Sequence, residues 1–189
     1  MTRAARPALT IDVIVSSELW KDAGKLKATA RRAVTRAAAT QSTTSAELAI
    51  VLTDDSAIRA LNRDWRGVDK ATNVLAFPTK NAAAHHLGDI VLAFETIARE
   101  ARSERKPLAH HLAHLAVHGF LHLVGYDHAQ PADAFEMERT ERKILRQLAI
   151  PDPYRPTRTR PVRARPTRAG RGSGVKRTDR RAAKRSQKP

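Results

Sequence analysis

The run Leu108–Val124, LAHHLAHLAVHGFLHLV, constrains this chain more than any other part of it. Leu112, Leu115, Val117, Leu121, Leu123 and Val124 leave a helix almost no polar side, and such a helix belongs inside a domain rather than on its surface. Yet six of the chain's eight histidines fall between His110 and His128. Buried imidazoles cost free energy unless each finds a partner, so the fold must wrap this helix and satisfy its histidines at once. A metal ion is one such partner.

The flanking segments supply the layers. LTIDVIV (Leu9–Val15) and ELAIVL (Glu47–Leu52) are apolar and rich in β-branched residues, which predicts strands. NVLAF (Asn73–Phe77), stopped by Pro78, and DIVLA (Asp89–Ala93) predict two more. From Glu18 to about Ala39, apolar residues recur at three- and four-residue steps (Ala23, Leu26, Ala30, Val34, Ala37), the pattern of an amphipathic helix. Thr53 or Asp54 can cap a second helix, with its apolar stripe at Ile58, Leu61 and Trp65 and its end at Gly67. Further helices are expected over Glu95–Arg105, from Pro107 onward, and over Ala132–Leu148, the last with Met137, Ile144 and Leu148 on one side. Strands early and helices late indicate an α+β (mixed α/β) domain with a sheet of about four strands.

The chain has 189 residues and a net charge of +16. That length suggests one domain, at most with an appendage. The charge is unevenly divided. Residues 155–189 hold 14 Lys and Arg against a single acid, Asp179, whereas residues 1–154 hold 21 bases, 18 acids and all eight Phe, Trp and Tyr. A segment without aromatic residues cannot offset its chain entropy by burial, so 155–189 is expected to be a disordered Arg/Pro-rich tail on a domain spanning 1–154. It suits an arm that binds nucleic acid, because neutralising phosphates releases counterions, or a solubilising extension with no specific partner. Cysteine is absent, which excludes disulfides, thiolate metal sites and cysteine nucleophiles. No apolar run approaches the roughly 18 residues of a membrane span, and Asp12 interrupts the only apolar run near the N-terminus, making a poor signal peptide. A cytoplasmic, strongly basic protein without a membrane partner is expected.

Spacing within the histidine run selects a ligand set. His118 and His122 are four apart, so they project from one helical face a turn apart, the usual two-histidine grip on zinc. Gly125 ends the helix, and Asp127 and His128 follow at once, so the chain can turn back and offer His128 as the third ligand. His114 shares the stripe, but it would stand about 12 Å from His122 at 1.5 Å per residue. It suits a supporting or cleft-lining place better, as Asp127 suits orienting a ligand. His85, His86, His110 and His111 read as ordinary surface or hydrogen-bonded residues. Three neutral histidines leave a fourth position open, the pattern of catalytic zinc, which makes water a usable nucleophile near neutral pH. One zinc ion per chain is expected, with other first-row metals able to substitute. Gly119 stands where the metalloprotease motif HExxH carries its glutamate, which argues against a peptidase. An RNA-binding assembly factor with structural zinc would instead need a fourth protein ligand, for which Asp127 and His114 stand nearby.

The string HGFLHLVGYDH and the following FEMERTERKIL closely resemble the YbeY family of endoribonucleases. LTDDSAIRALNRDWRGVDKATNVLAFP and LGDIVLA match upstream, so the resemblance spans about Ala46–Tyr154. It implies a zincin-like metallohydrolase fold and a single-strand-specific, metal-dependent endoribonuclease that matures the 3′ end of small-subunit ribosomal RNA and serves ribosome quality control. The implied partners are ribosomal RNA, the small subunit and other RNases or ribosomal proteins. The family's metal ligands fall on His118, His122 and His128. Its arginine ahead of the TNVLSF-like strand falls on Arg66, which, with His118, is the expected catalytic pair; a guanidinium there can hold phosphate oxygens and stabilise charge developing at phosphorus. Ala76 replaces the family's usual serine, a mild departure, and the basic tail has no counterpart in many members.

Overall fold

The computed structural model describes residues 9–21, 23–43, 45–79 and 86–155. Their elements run β1 (Thr10–Val15), a 3-10 turn (Glu18–Trp20), α1 (Gly24–Thr40), β2 (Glu47–Thr53), α2 (Asp55–Arg66), β3 (Val74–Pro78), β4 (His86–Ala93), α3 (Phe94–Ser103), α4 (Leu108–Leu123) and α5 (Pro131–Gln147). Four strands form one sheet in the order β1-β2-β4-β3. β1, β2 and β4 run parallel, with Ile50 opposite both Val13 and Ile90, while β3 lies antiparallel on the β4 edge. The α+β class and the four-stranded sheet expected from the sequence are both present. No helix among the described residues is long and apolar enough to cross a membrane. The basic segment anticipated over 155–189, Arg155 apart, lies outside the described residues, as does His85.

Alternation along β4 shows how the layers are divided. Ile90 and Leu92 join the larger core, whereas Val91 and Ala93 point to the other face and meet Ile58 of α2 and Leu75 of β3. The larger core is built around α4, which packs against β3, β4, α1, α3 and α5. Ten of its sixteen residues are buried, so the apolar helix lies inside, as its composition demands.

Two local departures have identifiable causes. The helical pattern expected from Glu18 breaks after a single 3-10 turn, and α1 begins only at Gly24. Trp20 is the reason: it is 1% exposed, its indole N–H donates to the Thr53 carbonyl at 2.8 Å, and its ring meets Phe94 edge-on. Anchoring the indole there fixes the chain before α1 can start. Beyond the break Ala30, Val34 and Ala37 are fully buried, as the periodicity predicts. In α2 the cap is Asp54, whose carboxylate accepts from the Ala57 N–H, and the helix ends on Gly67 in the left-handed region at φ 72°. Its stripe, however, does not stay buried. Ile58 is fully buried, but Trp65 is 72% exposed, with its ring edge-on against Phe77 of the edge strand β3.

Candidate metal centre and cleft

The turn that ends α4 determines the geometry of the histidines. Gly125 takes φ 93°, the Tyr126 N–H bonds to the Leu121 carbonyl and the Gly125 N–H to that of His122. These are the paired bonds of a Schellman cap, which reverses the chain sharply. Asp127 then accepts the His128 N–H at 2.7 Å and sets the tight return. As a result one ring nitrogen each from His118, His122 and His128 lie within 4.8 Å of one another, the one group among the described residues suited to holding a metal ion. His128 stacks on His118 with centroids 5.5 Å apart and meets His122 nearly edge-on at 5.0 Å.

The surrounding hydrogen bonds decide which nitrogens carry lone pairs. Glu141 of α5 is fully buried beneath α4. Burial alone would push its carboxyl up, but donors from His114, His118 and Tyr154 outweigh it and bring it down to about 2. An ionised carboxylate only accepts, so His118 Nδ1 is the donor at 2.8 Å. The His122 Nδ1 faces the Tyr126 carbonyl at 3.0 Å and must donate likewise. In neutral rings both Nε2 atoms then bear lone pairs, and they face each other at 3.1 Å. Two such lone pairs repel unless a proton or a metal ion lies between them. Nitrogens about 2.0–2.1 Å from one tetrahedral ion stand roughly 3.3 Å apart, so the His118–His122 pair is spaced for a metal of zinc's size, with His128 close by. Burial, then the neighbouring His118 and His128, holds the His122 pKa below its ordinary value, keeping the ring neutral and able to ligate.

Around these rings runs a cleft lined by Arg66, Val74, Ala76 and Asp127 as well as the three histidines. His114 is not among its walls. It donates from Nε2 to Glu141 at 3.0 Å and meets Tyr154 edge-on, so it reaches the histidine group only through the carboxylate. Arg66 stands apart from its neighbours on α2. Arg59 is paired bidentately with Asp69 and Arg63 through a single bond with Asp64, while among the described residues Arg66 carries no ion pair and lines the cleft. Gly119 has a steric explanation. A Cβ there would lie 2.7 Å from Ile90 Cγ2 and 3.3 Å from Val74 Cγ2, so α4 touches the sheet where a glutamate would have to stand.

Glu141 and Tyr154 were not singled out by sequence. A signal exists for the first: Met137, Glu141, Ile144 and Leu145 share the buried side of α5, and a carboxylate on an apolar stripe needs buried donors. Replacing Glu141 by glutamine should leave the fold in place but present an amide that can donate as well as accept toward His118, releasing its tautomer. Metal affinity should fall about 10- to 100-fold, measured by competition with a chromogenic chelator. Unchanged affinity would show that Glu141 serves packing alone.

Residues 15–149 match the family model described as Endoribonuclease YbeY. A protein from Nitrobacter hamburgensis named Endoribonuclease YbeY is 52% identical over 161 residues, covering 79% of this chain and 85% of that protein. One of the same name from Rhodopseudomonas palustris strain BisB18 is 49% identical, covering 82% and 96%. The solution structure of a Thermotoga maritima protein aligns over 80% of this chain and all of its own, with a TM-score of 0.49 and 21% identity.

Proposed function

The chain belongs to the YbeY family of endoribonucleases, hydrolases acting on RNA, and from that premise we propose that it cuts single-stranded RNA in the cleft of His118, His122, His128 and Arg66, with zinc as its metal. Its place of action in this reading is the cytoplasm, its substrate the 3′ end of small-subunit ribosomal RNA, and its wider setting ribosome quality control with the small subunit, ribosomal proteins or other RNases as partners. One observation carries the reading: ring nitrogens of three histidines within 4.8 Å of one another share a cleft with an arginine that, among the described residues, has no carboxylate partner.

A divalent ion held by the three histidines would supply Lewis acidity toward a phosphoryl oxygen and lower the pKa of water. The remaining chemistry belongs to the side chains. Glu141 locks His118 with Nε2 toward the cleft, and Tyr126 does the same for His122 through its carbonyl. Arg66 presents a planar fork of N–H donors to phosphate oxygens, binding the ground state and, more strongly, the charge that develops as the phosphodiester is cut. The close approach at Gly119 speaks against peptide hydrolysis on the HExxH plan. The lack of a fourth His, Asp or Glu in the histidine group, among the described residues, speaks against a purely structural ion.

Full-length protein stripped by chelation should lose cleavage of a single-stranded oligoribonucleotide, regain it with zinc, and leave the matching duplex uncut. Cleavage persisting in metal-free protein, or equal cutting of duplex, would overturn the reading. The segment 155–189, in the same reading, is an electrostatic arm for RNA. Ending the chain after Tyr154 should then make the salt slope of single-strand binding shallower, by about 0.7 for each phosphate that the arm had neutralised. Equal slopes would remove the arm from the account.

A further inference from the structure

Trp65 is the most conspicuous group that the chemistry above leaves unused. A tryptophan 72% exposed is unusual in a chain with few aromatic residues, and this one stands immediately before Arg66. Its indole rests edge-on against Phe77, with ring centroids 5.7 Å apart. Phe77 lies on β3 between the cleft-lining Ala76 and Pro78, but its side chain packs with Ile58 and Leu75 on the opposite face of the sheet. The last turn of α2 thus sets an exposed, steadied aromatic ring against the edge strand, one residue before the arginine that enters the cleft.

Resting on the reading of this cleft as an RNA-cutting site, we propose that Trp65 is a stacking platform for a nucleobase of the substrate strand beside the phosphate held by Arg66. Three features favour a base over another occupant. Single-stranded nucleic acid is held by aromatic faces interleaved with cations, and the pair Trp65–Arg66 offers one of each in adjacent positions. The exposed apolar surface here is Trp65 with Val68, itself 49% exposed, two side chains rather than a broad contiguous docking patch. A platform of this kind also accounts for a preference for single strands. A base engaged in a duplex has its faces covered by its neighbours, whereas an unpaired base can leave the strand to cover Trp65. The assignment makes Trp65 a substrate-positioning residue rather than a participant in bond cleavage.

The chain contains two tryptophans, and Trp20 is 1% exposed with its N–H on Thr53. Quenching of the indole emission by a stacked base therefore reports on Trp65. A short single-stranded 2′-O-methyl RNA added to the full-length, zinc-loaded protein should quench this emission as it binds, while an abasic strand of equal charge should bind more weakly and quench little. Trp65→Ala should weaken binding by roughly 5- to 150-fold and raise KM accordingly, with kcat within about threefold and an unchanged melting temperature. Trp65→Phe should recover most of the affinity. Equal affinity of wild type and Trp65→Ala, or equal quenching by the abasic strand, would overturn the platform and leave the nuclease reading standing. Failure of wild-type protein to bind any strand would instead overturn the nuclease reading itself.

Discussion

His118→Ala should lose metal binding and RNA cleavage together. The ring it removes supplies one of three nitrogens within 4.8 Å of one another, and it is the one whose orientation is held by a fully buried carboxylate. Two histidines that remain, one on α4 and one on the return turn, form an incomplete grip. Removing a ligand outright should cost more than the 10- to 100-fold in affinity that follows from disturbing a ligand's supporting hydrogen bond. A metal's stabilisation of charge in the transition state amounts to several kcal/mol, so cleavage should drop by at least about 10³-fold. The same substitution deprives Glu141 of one of its donors, a buried deficit of about 1–3 kcal/mol, and thermal stability will fall for that reason alone. His128→Ala separates the two effects. His128 is exposed and makes no bond to Glu141, so this variant should lose metal and activity with little change in the melting temperature of the metal-free protein. Isothermal titration with zinc and cleavage assays on both variants decide the matter. Cleavage at the wild-type rate in either one would remove the histidine group from the chemistry.

Much of the architecture is legible in the sequence because it is dictated by burial. The apolar surround of the histidine run demands an interior helix, and α4 is that helix. Alternating and clustered β-branched residues place the strands, and Gly67 and Gly125 mark ends that need a left-handed backbone. What sequence does not reveal is where one element's demand overrides a neighbour's pattern. The helical period from Glu18 continues through Trp20, yet an indole bonded to the Thr53 carbonyl holds the chain in a 3-10 turn. The stripe Ile58, Leu61, Trp65 looks continuous, but helical periodicity carries no information about where a sheet stops, and β3 is the last strand. In the candidate site, spacing brings out His118, His122 and His128 because two lie on one helical face and the third follows a glycine turn. Glu141 is hidden by separation: it lies 23 residues from His118, and only the packing of α5 on α4 joins them. Apart from the family resemblance, Arg66 is one arginine among many until its place in the histidine cleft is known. Asp69 and Asp64 occupy Arg59 and Arg63, and that difference is a fact of three dimensions.

That difference also sets the last expected result. Arg66→Ala should lower single-turnover cleavage by about 10²- to 10³-fold, the range for removing one positioned donor from a developing oxyanion, while zinc affinity stays at the wild-type level. The two readouts part because Arg66 lines the cleft without touching the histidine group's hydrogen bonds. Arg66→Lys should recover only part of the rate: an ammonium keeps the charge but not the planar fork that meets two phosphate oxygens at once. Arg59→Ala and Arg63→Ala are the internal controls. Both side chains are exposed and bound to their own carboxylates, and such pairs contribute about 0–1 kcal/mol to stability, so these variants should fold and cleave within about threefold of wild type. If lysine restored the full rate, Arg66 would act as a point charge alone. If Arg59→Ala or Arg63→Ala reduced activity as much as Arg66→Ala, the special standing of the unpaired arginine would fall, and general attraction of RNA to the basic end of α2 would take its place.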